Sequence, residues 1–211
     1  MFDPATLLAY TAAAAVLVLI PGPGTAWIIA QSAAGGTRRG AQAAVGLETA
    51  TLIHALAAGL GLSAVLATSA LAFEIVKYAG AAYLVWLGIQ AWRERDPSAD
   101  PAAAPAVVVP ARQVYLRSVL TGVLNPKVAL FFLAFLPQFV DPARGAVPLQ
   151  FLLLGLILSV IGLCHSLTLS WLVGRMGRRF AGSPRVARWT RRVTGGLFIT
   201  LGLRLAAQAR T

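Results

Sequence analysis

The sequence predicts an all-α membrane protein of six transmembrane helices, arranged as a 3+3 inverted repeat, with helices one and four broken near the bilayer midplane. Three observations predict it. Of 211 residues, 58% are hydrophobic and only 12% charged, where a globular domain usually carries about 25% charged residues. The apolar residues do not form amphipathic stripes; they fall in six blocks, each near the roughly 20 residues that a helix needs to cross hydrocarbon. The basic residues gather between alternate blocks, as the topology of a polytopic protein requires.

Helix one is expected over about 6–33 and contains the break Pro21-Gly22-Pro23-Gly24. Its leader, Met1-Phe2-Asp3-Pro4, has no basic n-region, so the block reads as a retained helix and not a cleaved signal peptide. Helices two and three are expected over about 41–66 and 70–92. Pro97, Pro101, Pro105 and Pro110 then punctuate residues 96–111; proline at that density makes an extended, flexible loop. Helix four runs over about 114–139 with Asn125-Pro126 near its middle, helix five over 147–173, and helix six over 193–207. Little chain remains, so residues 1–211 form a single transmembrane domain.

Charge sets the orientation. The formal net charge is +11, which in a soluble protein would point to nucleic acid. Here no aromatic-and-basic strip of that kind occurs, and the expected partners are anionic lipid headgroups, with no nucleic acid. Arg38, Arg39, Arg93, Arg95, Arg112, Arg117, Arg175, Arg178, Arg179, Arg185, Arg188, Arg191 and Arg192 all lie on one side of a six-helix threading. The positive-inside rule places that side in the cytoplasm and both termini outside. Five helices would break the alternation.

The repeat has a weak sequence trace. Pro21 and Pro126 are 105 residues apart, as are Arg39-Gly40-Ala41 and Arg144-Gly145-Ala146. Gly80, Tyr83, Leu84 and Leu87-Gly88 match Gly195, Phe198, Ile199 and Leu201-Gly202 with one residue of slippage. A three-helix unit repeated in tandem enters the membrane from opposite sides.

Pro21-Gly22-Pro23-Gly24 is the strongest motif. Two prolines remove two backbone donors and clash with the preceding turn, and the glycines remove stiffening side chains. The opened backbone, deep in hydrocarbon, costs about several kcal/mol per unpaired group unless protein, water or substrate meets it. Broken helices in matching places of two halves point to a transport site; a packing kink is the plainer alternative.

Asn125-Pro126-Lys127 is the second motif. Lys127 stands about thirteen residues into helix four, roughly 20 Å along it at 1.5 Å per residue and near its middle. A charge at that depth costs on the order of 2.5–3.5 kcal/mol, so it should face a polar cavity, where it would bind a carboxylate or carry a mobile proton. Glu48 and His54 lie on helix two, about 120° apart around its axis for a six-residue separation, and so are not an obvious pair. Glu48 reads as a carboxylate for an amine or proton, or as an interfacial acid paired with a loop arginine. His54 reads as a proton relay, since imidazole titrates near working pH, or as a histidine bonded to another helix. Gln31 and Gln138 suit helix–helix hydrogen bonds, Cys164 suits packing, and His165 is ambiguous.

The chain has no Walker, GxSxG, HExxH or CxxC sequence, so it is not expected to be an enzyme. Two histidines and one cysteine are too few for a metal carrier; no metal and no cofactor are expected.

Leu19-Ile20-Pro21-Gly22-Pro23, Gly46 and His54 before Gly59-Leu60-Gly61-Leu62, Tyr78-Ala79-Gly80-Ala81-Ala82-Tyr83-Leu84, Gly122-Val123-Leu124-Asn125-Pro126-Lys127, and the run Phe131 to Leu136-Pro137-Gln138-Phe139 together resemble the LysE/RhtB family of bacterial lysine and homoserine/threonine exporters, over nearly the whole chain. The resemblance implies a cytoplasmic-membrane exporter of amino acids or related small metabolites, driven by an ion gradient, and a homodimer. It carries site roles to Pro21, Gly22, Pro23, Asn125, Pro126 and Lys127. The lysine-exporting branch has an acidic residue in helix two where this chain offers His54, with Glu48 displaced toward the cytoplasm. A neutral, threonine- or homoserine-like substrate is therefore expected, with proton-coupled alternating access. The competing expectations are an exporter of another small solute, and a membrane scaffold or accessory subunit that transports nothing.

Overall fold

The computed structural model describes residues 2–68 and 109–176, with isolated helical positions at 75, 78, 82, 85, 86, 89 and 93 and at 192, 196, 199, 200 and 203. Apart from those positions, the expected helices over 70–92 and 193–207 lie outside the described residues, as does the expected loop up to residue 108. Among the described residues every regular element is helical.

Helix α1 spans Pro4–Leu19. Asp3 caps it, its Oδ2 accepting from the Ala5 and Thr6 amides at 3.1 and 3.4 Å, and Pro4 supplies a preset φ where no donor is needed. The helix stops because Pro21 follows: Ile20, at φ −69° and ψ 114°, takes the extended conformation that a residue before proline prefers.

The chain turns helical again at Pro23 and stays so to Thr68, but Gly35 and Gly36 have non-helical dihedrals. The segment is therefore two arms, α2 (residues 23–34) and α3 (residues 37–68). The arms fold back on each other. In a straight helix Ser32 and Gly40 would stand about 12 Å apart at 1.5 Å per residue, yet a Cβ on Gly40 would collide with the Ser32 hydroxyl. Ile28 packs on Ala43, Ala44 and Leu47, and Arg39 Nε donates to Gln31 Oε1 at 2.7 Å across the turn. Gly36, at φ 71° and ψ −172°, occupies a region open essentially to glycine alone. The connection from helix one to helix two thus shrinks from the expected seven residues to two, because glycine can reverse the chain at once.

Helix α4 spans Ala111–Val123. Leu124 and Asn125 interrupt it, and α5 restarts at Pro126–Leu130 with Asn125 as its cap, Oδ1 accepting from the Lys127 amide at 3.1 Å. The axes on the two sides of this break differ by 48°. A π turn at Phe131–Phe135 and a 3-10 turn at Leu136–Phe139 continue the path; Pro137 has no N–H for the Leu133 carbonyl, so the regular ladder cannot persist. Asp141 caps a short 3-10 turn at Pro142–Arg144, and α6 runs over Val147–Met176.

Val147–Arg175 is long and apolar enough to cross a membrane, as is Pro23–Gly61 by length and composition although it reverses at Gly35–Gly36, and the bent pair across Asn125 makes a third candidate. The sixteen residues of α1 rise only about 24 Å, short of the roughly 30 Å hydrocarbon core. Two buried clusters organise the packing. One joins Tyr10, Ala14 and Leu17 of α1 and its cap Ile20 to Phe131, Phe132, Phe151 and Leu154. The other holds the α2–α3 hairpin against Val114 of α4.

Candidate functional site

The two helix breaks, α3 and α6 meet around a cavity of about 100 Å³ that lies between the two clusters. Leu17 and Val18 of α1, Gly22, Gly24 and Thr25 of the first break, and Asn125 and Lys127 of the second line one part; Glu48 and Thr51 of α3 and Gly162, His165 and Ser166 of α6 line the rest. For comparison, an apolar cavity of about 150 Å³ admits benzene, so the space suits a small solute.

The local chemistry of the breaks follows from proline. In an uninterrupted helix the Leu17 carbonyl would accept from the amide of residue 21, but Pro21 has none. A cation replaces the missing donor: Lys127 Nζ donates to the Leu17 carbonyl at 2.7 Å and to the Ile20 carbonyl at 2.5 Å. It thereby sits at the negative end of the α1 dipole, where positive charge is stabilised. Gly22 lies beside the Lys127 stem, where a Cβ would make an ordinary contact at 3.4 Å.

The second break repeats the pattern. Pro126 orphans the Gly122 carbonyl, which instead meets the Asn125 amide at 3.1 Å and His54 Nε2 at 3.4 Å. The latter bond forms in the tautomer that carries its proton on Nε2. The His54 ring also stacks on Phe132, with centroids 5.9 Å apart. His54 thus belongs to the packing between α3, α4 and the π turn and does not line the cavity.

Glu48 does line it. The Ser159 and Thr51 hydroxyls lie beside its carboxylate, with Thr51 Oγ1 donating to the Leu47 carbonyl at 3.3 Å, and Gly162 lets it lie against α6, where a Cβ would come within 2.5 Å of Oε1. It is the acidic residue of the lining, facing Lys127 and His165 as the basic ones. A zwitterion with its ammonium toward Glu48 and its carboxylate toward Lys127 matches those charges. The start of α2 lines the same cavity, and the first amides of a helix have no intrahelical acceptor; Gly24 and Thr25 provide them.

Of the residues singled out in the sequence, Gly22, Gly24, Glu48, Asn125 and Lys127 come together on the cavity. Pro21, Pro23 and Pro126 act through the backbone donors they lack, and His54 stands apart. Sequence reasoning missed Thr25, Thr51, Ser159, Gly162 and Ser166, and left His165 undecided. A signal was available: Ser159, Gly162 and Ser166 fall at helical spacing on one face of an otherwise apolar helix. Gln31 bridges the α2–α3 turn to Arg39, and Cys164 is exposed. Among the described residues no three His, Cys, Asp or Glu side chains gather as a metal-binding set.

Comparison with known proteins adds a family. The model of the LysE type translocator family matches residues 15–209. A membrane protein of Vibrio cholerae serotype O1, described as uncharacterized, is 37% identical over 199 residues, covering 94% of this chain and 95% of its own. The homoserine/homoserine lactone efflux protein of Salmonella typhi is 33% identical with the same coverage. The leucine efflux protein of Klebsiella pneumoniae is 29% identical over 97% of this chain and 96% of its own. No solved structure matches.

Proposed function

The chain belongs to the LysE type translocator family, and from that premise we propose that it exports small neutral amino acids from the cytoplasm across the bacterial inner membrane. The single observation that carries the proposal is the cavity in which Glu48 and Lys127 face one space at the meeting of two helix breaks. Glu48 meets the substrate ammonium. The Gly24 and Thr25 amides at the start of α2, with the third donor of the Lys127 ammonium, meet the carboxylate. The names of the Salmonella and Klebsiella relatives, for homoserine and leucine efflux, support a neutral substrate. So does the balance of charge, since a lysine side chain would bring a second cation to a cavity lined by one carboxylate.

The finer reading is alternating access by two inverted halves. The equivalent backbone defects at Pro21 and Pro126, each met by a side chain from a distant helix, support it. In this reading Glu48 exchanges a proton for the substrate ammonium, which couples export to the proton gradient, and both termini face outward.

The test is flux of labelled leucine, homoserine, threonine and lysine in proteoliposomes under an imposed pH gradient. Gradient-dependent flux of the neutral amino acids, well above that of lysine, is expected. Absence of gradient-dependent flux for all four would refute the proposal, and unchanged flux in Glu48→Gln would refute the placement of the ammonium.

A further inference from the structure

We propose that Lys127 is a substrate-released latch: its ammonium holds the end of α1 in place through the Leu17 and Ile20 carbonyls, and passes to the carboxylate of an entering amino acid, which frees that end to move. The inference rests on the export reading above and deepens it, because it states what the substrate must carry, a free carboxylate.

The geometry makes the two acceptors rivals. Lys127 Nζ is bonded to two backbone carbonyls and lines the same cavity as Glu48. A solute whose ammonium rests on Glu48 therefore presents its other end to a cation that is already engaged. A carboxylate adds the attraction of opposite charges to its hydrogen bond with an ammonium, which a neutral carbonyl cannot. With three donors on the ammonium, the exchange passes through a shared state, so the cation is never left bare.

The consequence falls on α1. Once Lys127 leaves, the Leu17 carbonyl has lost the donor that stood in for Pro21, and an unpaired carbonyl in an apolar setting is costly. The end of α1 must shift to find water or another donor. The Leu17 and Ile20 side chains are buried in the apolar cluster, so the shift is a slide of the backbone end against that cluster; only residues 20–22 join α1 to α2, and Pro21 and Pro23 offer no amide to hold them. The middle of α1 stays pinned, because the Tyr10 hydroxyl donates to the Leu154 carbonyl of α6 at 2.7 Å and its ring packs edge-on against Phe139, centroids 5.2 Å apart. The helix thus has a pivot at Tyr10 and a releasable end at Leu17–Ile20.

Hydrogen–deuterium exchange of the full chain in lipid nanodiscs tests this. Two ligand pairs are compared: leucine with leucinol, and homoserine with homoserine lactone. Each pair keeps the ammonium and loses the free carboxylate in its second member. Binding of each ligand is read by thermal shift on the same samples. The expected result is that a bound acid speeds exchange at the amides of residues 17–20 about tenfold, and its bound carboxylate-free partner does not. Equal acceleration by both, or bound acid without acceleration, overturns the latch and leaves the export reading standing. If no ligand binds and no flux is seen, the export reading falls and the latch with it. The wild-type comparison is sufficient even where Lys127→Met fails to fold. In a folded Lys127→Met protein the α1 end exchanges fast with or without ligand, and slow exchange there also overturns the latch.

Discussion

Replacing Gly162 by alanine adds one methyl group to α6 at the place where the Glu48 carboxylate rests. That methyl would stand 2.5 Å from Oε1 and 3.0 Å from both Cδ and Oε2. Real Cβ contacts do not fall below 3.0 Å, so the carboxylate must retreat by at least half an ångström. Because it is the end of a flexible side chain, it moves and the helices do not. The retreat draws its oxygens away from the position proposed for meeting the substrate ammonium. A hydrogen bond to a charged group contributes about 1.5–3 kcal/mol, and each 1.4 kcal/mol is tenfold in affinity. The KM for export of a neutral amino acid should therefore rise by about tenfold to a hundredfold. Alanine for glycine inside a helix returns about 0.5–1 kcal/mol, so thermal stability should stay near wild type. Flux titrations in proteoliposomes, paired with thermal unfolding of the purified protein, read both quantities. An unchanged KM in a folded Gly162→Ala protein would refute the argument. Gly155→Ala is the control: its methyl would collide with Ala55 Cβ of α3, so it should lower stability and leave no selective mark on KM.

Further substitutions probe the frame around the site. Gly36→Ala forces a side chain onto φ 71° and ψ −172° and should cost about 1–3 kcal/mol, seen as a lower thermal midpoint; an unchanged midpoint would refute the two-residue reversal. Gln150 is fully buried and staples the turn before α6, donating to the Asp141 and Gly145 carbonyls at 2.8 and 2.7 Å and accepting from the Asp141 amide at 3.0 Å. Gln150→Ala should speed amide exchange across residues 141–146, at about 1–3 kcal/mol per orphaned group, while KM holds. Tyr10→Phe removes the bond to the Leu154 carbonyl and should lower stability by about 0.5–1.5 kcal/mol, with the loss visible in chemical or thermal unfolding.

How far the site was legible depends on how local its chemistry is. The breaks at Pro21 and Pro126 were readable because a proline's missing donor acts within four residues of its own chain. Lys127 and Glu48 were readable as charges inside apolar blocks, where their cost demands a reason. The task of Lys127 was not, since its acceptors lie 110 and 107 residues away. Glu48 and His54 could be separated by rotation around one helix, but only packing decided that Glu48 faces α6 and His54 faces α4. Ser159 and Ser166 carry hydroxyls that any apolar helix can spend on its own carbonyls, as Ser170 does with Ser166 at 2.7 Å, so their sequence alone does not mark a site. The π turn at Phe131–Phe135 left no trace, because its residues are ordinary helix and core residues.

By itself the sequence determined a helical, apolar chain, where two of its helices break, and which charges must find partners inside it; these follow from hydrocarbon length, proline and the cost of burying charge, all properties of short stretches. Only the tertiary structure decided that Gly35 and Gly36 fold α2 back on α3, that both breaks open onto one cavity, and that the lysine of the second break mends the first. Those outcomes depend on which distant surfaces come into contact, and no short stretch of chain contains that information.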